Sequence, residues 1–587
     1  MNYVILSAPS GSGLRGAVGK LSQSADDIKI VDIEDILCSL PSTENALNNA
    51  GVTPPTDGPR TFEMYDITWN LSRFQIIELW EEATTNALHQ LSRSTENLKI
   101  LSCHMLYFCG KREEYYSPIN PSNLKNSRYT PSHILLLIDD VYDMYLRLAR
   151  EGALFDPKTR IPALKGRIKE EEGVDLNKLN ADRLKSICSE WQLGVMANLL
   201  YWRNLEIIIA EQLALQFRSN FLVWGTKQLT DVPILWMQSE SPVTIYLSHP
   251  ISRPRRMHRK TGRWPEVVSR FNGLQSGLLQ YDVSCVMPSA IDEYRIKRSE
   301  RRNNTKRRIP FLETRWPLPG DINSILYSFP SPLRSADHRK ILSYKKWNFK
   351  RKEFVSVSSC STETSEAIDA YLRGFERHVE HQVSSRDHMF VSWTDGILVF
   401  RPLFSDPVWS SGVRAEIKHW ALIARSDVKK RILFVHFYRD VLDLIEYYNS
   451  DPGRKMSLEK EIEDELITII STDFNLDERT SSDVLKHIKR GAPGELLDQC
   501  PISPNVASDI QEEFIASENK AKKRWLEKKL IGYEISIGEV NKDQVEYYVV
   551  RDFRSLKEKY VEICVFFKTG DKQADNTSFL NRLIRRI

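Results

Sequence analysis

Several features that would assign a long chain to a broad class of protein are missing here. The eight cysteines among 587 residues include no Cys-x-x-Cys pair and are too sparse for a disulfide scaffold. No apolar run approaches the roughly 18 residues of a membrane-spanning helix, and the N-terminus lacks a basic start followed by a long apolar core. We therefore expect a protein of a reducing compartment, the cytoplasm, with no membrane partner.

A strong charge of one sign is also missing. The formal net charge is only +4, so binding to nucleic acid would depend on a local patch. The most basic segment, 297–308, has no interleaved aromatic residues that could stack on bases, which makes nucleic acid a possible but not a favoured partner. Cys103, His104 and Cys109 lack a fourth ligand at zinc spacing, so no metal site is predicted.

What is present is an ordinary globular composition, with 41% hydrophobic and 27% charged residues. Strand-like apolar runs alternate with amphipathic helices, which predicts an α/β fold with two parallel-sheet, Rossmann-like domains at residues 1–238 and 239–440. Residues 441–587 are predicted to form a C-terminal mixed α/β or helical domain for interaction or oligomerisation, with a strand at 561–567. A homo-oligomer or a regulatory protein partner is expected.

A glycine-rich turn follows the first predicted strand. Residues 8–13 read Ala-Pro-Ser-Gly-Ser-Gly and lead into a helix, a layout in which backbone N–H groups and the helix N-terminus can hold a phosphate. Against the pattern G-x-x-x-x-G-K-[ST], the lysine and the hydroxyl are replaced by Leu14 and Arg15. Arg15 or Lys20 could substitute in part for that lysine, and the glycines could also serve only a tight turn.

A later apolar run, 133–138, is followed by Asp139 and Asp140, like a Walker B strand, whose terminal acid lies beside the bound metal ion. With the degenerate loop, it makes the first domain similar to the P-loop nucleotide kinases. The resemblance implies a nucleotide, with or without Mg²⁺, as the ligand of this domain. The predicted nucleotide-binding residues are Ser10, Gly11, Ser12, Gly13, Arg15 and Asp139.

A carboxylate stands at a chemically suggestive place in the second domain. The apolar run 396–400 suits a buried parallel strand, and a loop then leads through Gly412 into an amphipathic helix. Glu416 falls in the first turns of that helix and is expected to point back toward the carboxyl end of the strand, where ligands bind in open α/β sheets. It could act as a nucleophile or an electrostatic stabiliser, or be only a favourable acid near the helix N-terminus.

Residues 242–440 resemble the nucleoside 2-deoxyribosyltransferases. The segment 411–417, Ser-Gly-Val-Arg-Ala-Glu-Ile, is similar to the turn that carries the nucleophilic glutamate of that family. Asp387, eight residues before Asp395, matches its sugar-binding aspartate, and Tyr246 matches a tyrosine beside the nucleophile. The chain departs from the family where Ser410 replaces a second acid and His249 replaces a small residue. The predicted substrate-binding residues are His249, Pro250, Arg253, Ser410 and Gly412.

This resemblance implies an enzyme that cleaves N-glycosidic bonds without a cofactor. Glu416 would attack the anomeric carbon or stabilise an oxocarbenium-like transition state, Asp387 would hold a sugar hydroxyl, and Tyr246 would position the glutamate. The substrate would be a nucleoside, a nucleotide or an NAD-like dinucleotide, and arginines after the first strand favour a phosphate on it. Because Ser410 cannot act as an acid, hydrolysis is more plausible than base exchange.

Two other functions remain open on the sequence. Both domains could bind ligand without turnover, as in a nucleotide sensor or scaffold, or the first domain could be an active nucleotide kinase. If the chain does cleave nucleosides, unrestrained activity would harm the cell. We therefore expect control by the first domain or by a partner, as in a toxin-like or antiviral effector; this step rests on analogy alone.

Overall fold

The fold is given by a computed structural model of the chain. The residues that it describes are 2–24, 27–52, 64–109, 114–124, 129–150, 181–226, 231–238, 243–250, 264–287, 345–348, 353–356, 385–404, 409–489, 502–532, 540–570 and 584. They form two compact units, of which the first comprises Met1–Glu240 and Ser289–Arg386 and the second Ser241–Pro288 and Asp387–Ile587. Within the described ranges, no helix has both the length and the apolar character needed to cross a membrane.

The strands lie mainly in two parallel sheets. They are β1 Asn2–Ser7, β2 Ile28–Asp32, β3 Leu98–Cys103, β4 Tyr107–Cys109, β5 Glu114–Tyr116, β6 Thr130–Ile138, β7 Asn220–Gly225, β8 Val243–Ser248, β9 Val283–Val286, β10 Lys345–Asn348, β11 Glu353–Ser356, β12 Gly396–Phe400, β13 Arg431–Phe437 and β14 Val545–Val550. The pairs β4–β5 and β10–β11 are separate antiparallel ribbons.

Helices separate most of these strands and continue beyond β13. They are α1 Leu14–Ser24, α2 Ile33–Ser39, α3 Pro41–Asn49, α4 Met64–Asn70, α5 Arg73–Arg93, α6 Pro121–Leu124, α7 Val141–Arg150, α8 Ala181–Phe217, α9 Asp231–Gln238, α10 Trp264–Leu279, α11 at 385–393, α12 Ser411–Ala424, α13 Tyr438–Asn449, α14 Pro452–Asp473, α15 Glu478–Lys489, α16 Pro504–Leu530, α17 Phe553–Lys557 and α18 Tyr560–Thr569. The predicted α/β class with two parallel, Rossmann-like sheets is confirmed.

The sheet of the first unit has the strand order β2-β3-β1-β6-β7, and all four neighbouring pairs are parallel. The chain adds β2 and β3 on one side of β1 and then β6 and β7 on the other. Such a reversal opens a crevice at the carboxyl ends of the strands. The loop after β1 and the residues after β6 therefore meet at the edge where ligands bind in this kind of sheet.

The sheet of the second unit has the order β14-β13-β12-β8-β9, again with parallel pairs only. Here the chain reverses at β8, because β9 is added on one side and β12, β13 and β14 on the other. Side chains alternate between the faces of a strand. Ile245 and Leu247 enter a core with α10, α17 and α18, which leaves Tyr246 and Ser248 on the opposite face.

The C-terminal residues complete this second sheet. β14 pairs in parallel with β13, so that residues 545–550 belong to the second unit, where the sequence had predicted a separate domain from 441 onward. Helices α13 to α16 form a further core with Leu403 and Val549. The predicted strand at 561–567 is wrong, because those residues lie in α18, whose buried positions follow helical spacing from Tyr560 to Phe567.

Candidate functional site

Glu416 is a buried carboxylate of the second unit, at the carboxyl edge of its sheet. Its side chain leaves α12 and reaches β8, where Tyr246 Oη donates a hydrogen bond to Oε1 across 2.9 Å. Ser248 Oγ donates a second hydrogen bond to Oε2. Each carboxylate oxygen therefore has its own hydroxyl donor, and the residue is 8% exposed. This arrangement holds the carboxylate in one orientation at the carboxyl end of β8.

The start of α12 explains why Glu416 lies where it does. Ser410 is the N-cap, and its Oγ accepts the Val413 N–H across 3.2 Å. That contact fixes the first turn, from which Glu416 follows one turn later. Ser410, predicted to bind substrate, thus uses its hydroxyl for capping. Gly412, predicted for the same role, is exposed, and a Cβ added there would meet nothing within 4 Å.

Asp387, the predicted sugar-binding acid, lies partly buried in α11. One turn later on the same helix, the Phe390 ring has its centroid 6.2 Å from that of Tyr246. Residues three apart on a helix share a face. Asp387 therefore lies on the helix that packs beside Tyr246, one turn before Phe390.

A histidine pair that the sequence did not single out joins α11 to α12. The rings of His388 and His419 stack with centroids 4.5 Å apart and planes 14° from parallel. His419 Nε2 also lies 2.9 Å from Ser392 Oγ. Burial, together with the neighbouring His388, lowers the pKa of His419. The helices that carry Asp387 and Glu416 are thereby connected by side chains.

The remaining predicted substrate residues lie elsewhere or outside the described part of the chain. His249 is buried, its ring centroid is 4.1 Å from that of Phe271, and its Nδ1 lies 3.2 Å from the Leu247 carbonyl oxygen. It therefore packs on the α10 side of the sheet, the face opposite Glu416, because it continues the alternation of Leu247. Pro250 is also buried, and Arg253 lies outside the described residues.

The glycine-rich loop of the first unit packs against α7. Gly11 and Gly13 have φ angles of +80° and +85°, a region that favours glycine. A Cβ on Gly11 would lie 2.7 Å from Leu148 Cγ, so no larger residue fits there. Ser10 follows Pro9 at the entrance of this turn, and the backbone N–H of Ser12 donates to the Pro9 carbonyl across 2.9 Å.

An arginine that the sequence did not suggest, Arg147, contacts this loop. Arg147 Nη1 donates to the Gly11 carbonyl across 2.6 Å, and Nη2 donates to the carboxylate of Asp139. Arg15, the predicted substitute for the missing lysine, instead lies 3.7 Å from Asp35 in an exposed ion pair. The loop and the end of β6 are therefore bridged by a residue from α7.

Three acids follow β6 closely. Carboxylate oxygens of Asp139, Asp140 and Asp143 lie within 4.8 Å of one another, and oxygen ligands of this type suit Mg²⁺. Asp139 is wholly buried and already pairs with Arg147. Of the nucleotide-binding residues predicted in this unit, the structure brings the loop and Asp139 together and leaves Arg15 on the exposed α1–α2 surface.

A buried glutamate, Glu206 of α8, also reaches the carboxyl edge of the first sheet. Its Oε1 accepts from Ser7 Oγ across 3.0 Å and from the Met105 N–H across 2.6 Å. Burial is the main reason why the pKa of Glu206 is raised to about 7. Sequence periodicity assigns this residue to helix packing, and only the tertiary structure shows that it meets the end of β1.

The sequence was also compared with known proteins. It matches no protein-family model, and no curated protein matches it. The arrangement of side chains is thus the basis on which a function can be argued.

Proposed function

We propose that the second unit cleaves the N-glycosidic bond of a nucleoside, a nucleotide or NAD. The observation that carries this proposal is that Tyr246 and Ser248 each donate a hydrogen bond to Glu416. These contacts lie at β8, the strand from which the chain adds strands first on one side and then on the other. A carboxylate with a hydroxyl donor on each oxygen is held in one orientation. Ligands of open parallel sheets bind at such reversals.

In the proposed reaction, a Glu416 oxygen forms a bond to the anomeric carbon while the carbon–nitrogen bond breaks. The departing base takes the bonding electron pair; a nucleoside base also takes a proton from solvent, whereas the nicotinamide of NAD leaves neutral without one. Water then hydrolyses the glycosyl ester and restores the carboxylate, as in retaining glycosidases. The hydroxyls of Tyr246 and Ser248 stabilise the carboxylate whenever it is free, which is before attack and after hydrolysis.

Asp387 is proposed to hold a sugar hydroxyl. Its place on α11, one turn from the Phe390 contact with Tyr246, puts it on an element next to the nucleophile. The first unit is proposed to bind a nucleotide that controls the activity. Ser410 favours hydrolysis over base exchange, because its hydroxyl is used as the helix cap and no acid stands there.

The experiment is an incubation of the purified full chain with a panel of nucleosides, nucleotides and NAD, followed by chromatography of the free base. Wild type should release base from at least one substrate, and Glu416→Gln should not. Glu206→Gln is the matched control, because it changes a buried, serine-bonded glutamate of the other unit and should keep the activity. Failure of wild type on the whole panel contradicts the proposal.

A second candidate is a nucleotide sensor without turnover. The observation in its favour is the bridge from Arg147 to the loop and to Asp139, in a unit whose loop lacks the lysine used in phosphoryl transfer. Tight nucleotide binding without base release would support the sensor. Transfer of phosphate to a monophosphate in the same incubations would support a kinase instead.

A further inference from the structure

We infer that Arg147 supplies the positive charge of a phosphate-binding site at the glycine-rich loop 8–13, which takes the phosphate or diphosphate of a nucleotide. The inference rests on the proposed nucleotide-binding role of the first unit and not on glycosidic cleavage. The proposed cation is therefore a residue of α7, and not Arg15 or Lys20, which the sequence analysis considered for this role.

The position of the guanidinium is the first argument. Besides its hydrogen bond to the Gly11 carbonyl, its Cζ lies 3.5 Å from where a Cβ on Gly13 would be. The side chain of Arg147 is 32% exposed, so a ligand at the loop can reach it. Arginine presents several N–H donors in one plane, and two of its nitrogens are engaged here. The remaining donors suit phosphate oxygens.

The interior of the loop is the second, independent argument. The Ser12 side chain is wholly buried, and its Oγ has no hydrogen-bond partner among the residues that the structure describes. A buried hydroxyl without a partner is unfavourable, and it is a feature that a bound oxygen would satisfy. Ser12 stands between the two left-handed glycines, two residues before the start of α1 at Leu14, and the first turn of α1 contains no acidic residue. The N-terminus of α1 therefore keeps its attraction for an anion.

The acids around the loop explain why a phosphate site here needs a cation such as Arg147. Asp139 is wholly buried and pairs with Arg147, and Asp140 and Asp143 have oxygens within 4.8 Å of it and of each other. Without a cation, this negative charge would repel phosphate. Phosphate and Asp139 then compete for the same guanidinium, so that removing the charge of Asp139 should strengthen phosphate binding.

The test is isothermal titration of the full chain with inorganic pyrophosphate in EDTA, with sulfate at equal ionic strength as the comparison. Wild type should bind pyrophosphate in preference to sulfate. Arg147→Ala should weaken binding by about tenfold or more, the usual effect of losing a charge-assisted hydrogen bond. Asp139→Asn should bind more tightly than wild type. Arg73→Ala, which removes an exposed arginine at the start of α5, should bind like wild type.

Thermal unfolding of each variant without ligand separates a loss of binding from a loss of folding. If Arg147→Ala is unfolded, Arg147→Lys, which keeps the charge, should bind with intermediate affinity. No pyrophosphate binding by wild type, equal binding by folded Arg147→Ala, or a loss with Arg15→Ala alone would overturn the inference. Base release, measured separately against Glu416→Gln, tests the glycosidic proposal, so the two can fail independently.

Discussion

The two units place a glutamate at the same kind of position but give it different surroundings. In each, the first strand of a parallel sheet ends in a serine that donates to a buried glutamate from a helix: Ser7 to Glu206 in the first unit, and Ser248 to Glu416 in the second. The second donor to Glu206 is the Met105 backbone N–H, whereas the second donor to Glu416 is a tyrosine hydroxyl.

The difference lies in what each carboxylate can do. Glu206 is wholly buried and accepts the hydrogen bonds from Ser7 and Met105 on the same oxygen, and burial raises its pKa to about 7. Glu416 has a donor on each oxygen and keeps some exposure at the sheet edge. A serine at the end of a strand can thus hold either an internal proton-binding glutamate or a candidate reacting glutamate. The second hydrogen-bond donor and the exposure of the carboxylate distinguish the two.

The difference between the two glutamates is tested most directly by making the same substitution in both units. Glu416→Gln should lower base release by roughly a thousandfold, because the amide cannot form the bond to the anomeric carbon. Glu206→Gln should leave base release unchanged. Both rates are measured by chromatography of the free base at saturating substrate. Equal losses in the two variants would show that Glu416 acts only through folding.

His436 should make the second unit less stable in acid. It is wholly buried at the end of β13, donates Nε2–H to the Leu530 carbonyl across 2.7 Å, and has a pKa lowered by burial to about 4. Between pH 6.5 and 4 the unfolded chain takes up a proton that the folded chain does not, so the free energy of unfolding should fall by about 3 kcal/mol as pH falls.

His436→Gln keeps an N–H donor and cannot titrate in this range. Urea unfolding at pH 4.5 and pH 7 should therefore show a smaller acid-induced loss in the variant than in wild type. An identical loss in both proteins would contradict the assignment to His436.

Glu206 should give the first unit the opposite dependence on pH. Its folded pKa of about 7 lies above the ordinary glutamate value of 4.5, so the stability it contributes is complete below pH 4.5 and is lost as pH rises through 7. The loss should reach about 3 kcal/mol. Glu206→Gln should remove it, which urea unfolding of wild type and variant at pH 5 and pH 8 would show. A variant that keeps the full decline at high pH would exclude Glu206 as its source.

The smallest expected effect comes from the two serines. Ser248→Ala should lower kcat by about tenfold, because a hydrogen bond to a charged group contributes about 1.5–3 kcal/mol, and should change KM little. Ser7→Ala should lower the free energy of unfolding without affecting kcat. Steady-state kinetics and urea unfolding of both variants provide the measurements. A change in KM alone for Ser248→Ala would assign that hydroxyl to substrate binding.

The main strands were predictable because a parallel strand is covered on both faces and reads as a continuous apolar run. This holds for β6 and β12, whose central residues are all buried. β2 is an edge strand with a single buried residue, and its sequence carries no such run. Helix α18 was mistaken for a strand because a short apolar run fits either structure until its neighbours are known.

The candidate site was predictable only in part. The resemblance led to Tyr246 and Glu416, which the structure brings within hydrogen-bond distance. Ser248 carried a usable signal, since it lies two residues after Tyr246 in a strand and must face the same side. Arg147 carried none, because its position over the loop depends on how α7 packs after β6.

The parallel pairing of β8 with β12 and of β13 with β14 has a consequence for how the chain acquires its structure. Ile245 cannot find Gly396, nor Ile432 find Val545, until long intervening stretches have been synthesised. The β1, β6 and β7 strands of the first unit, in contrast, are all made by residue 225. During translation, the strands of the first sheet are therefore complete before β14, the outer strand of the second sheet, has been made.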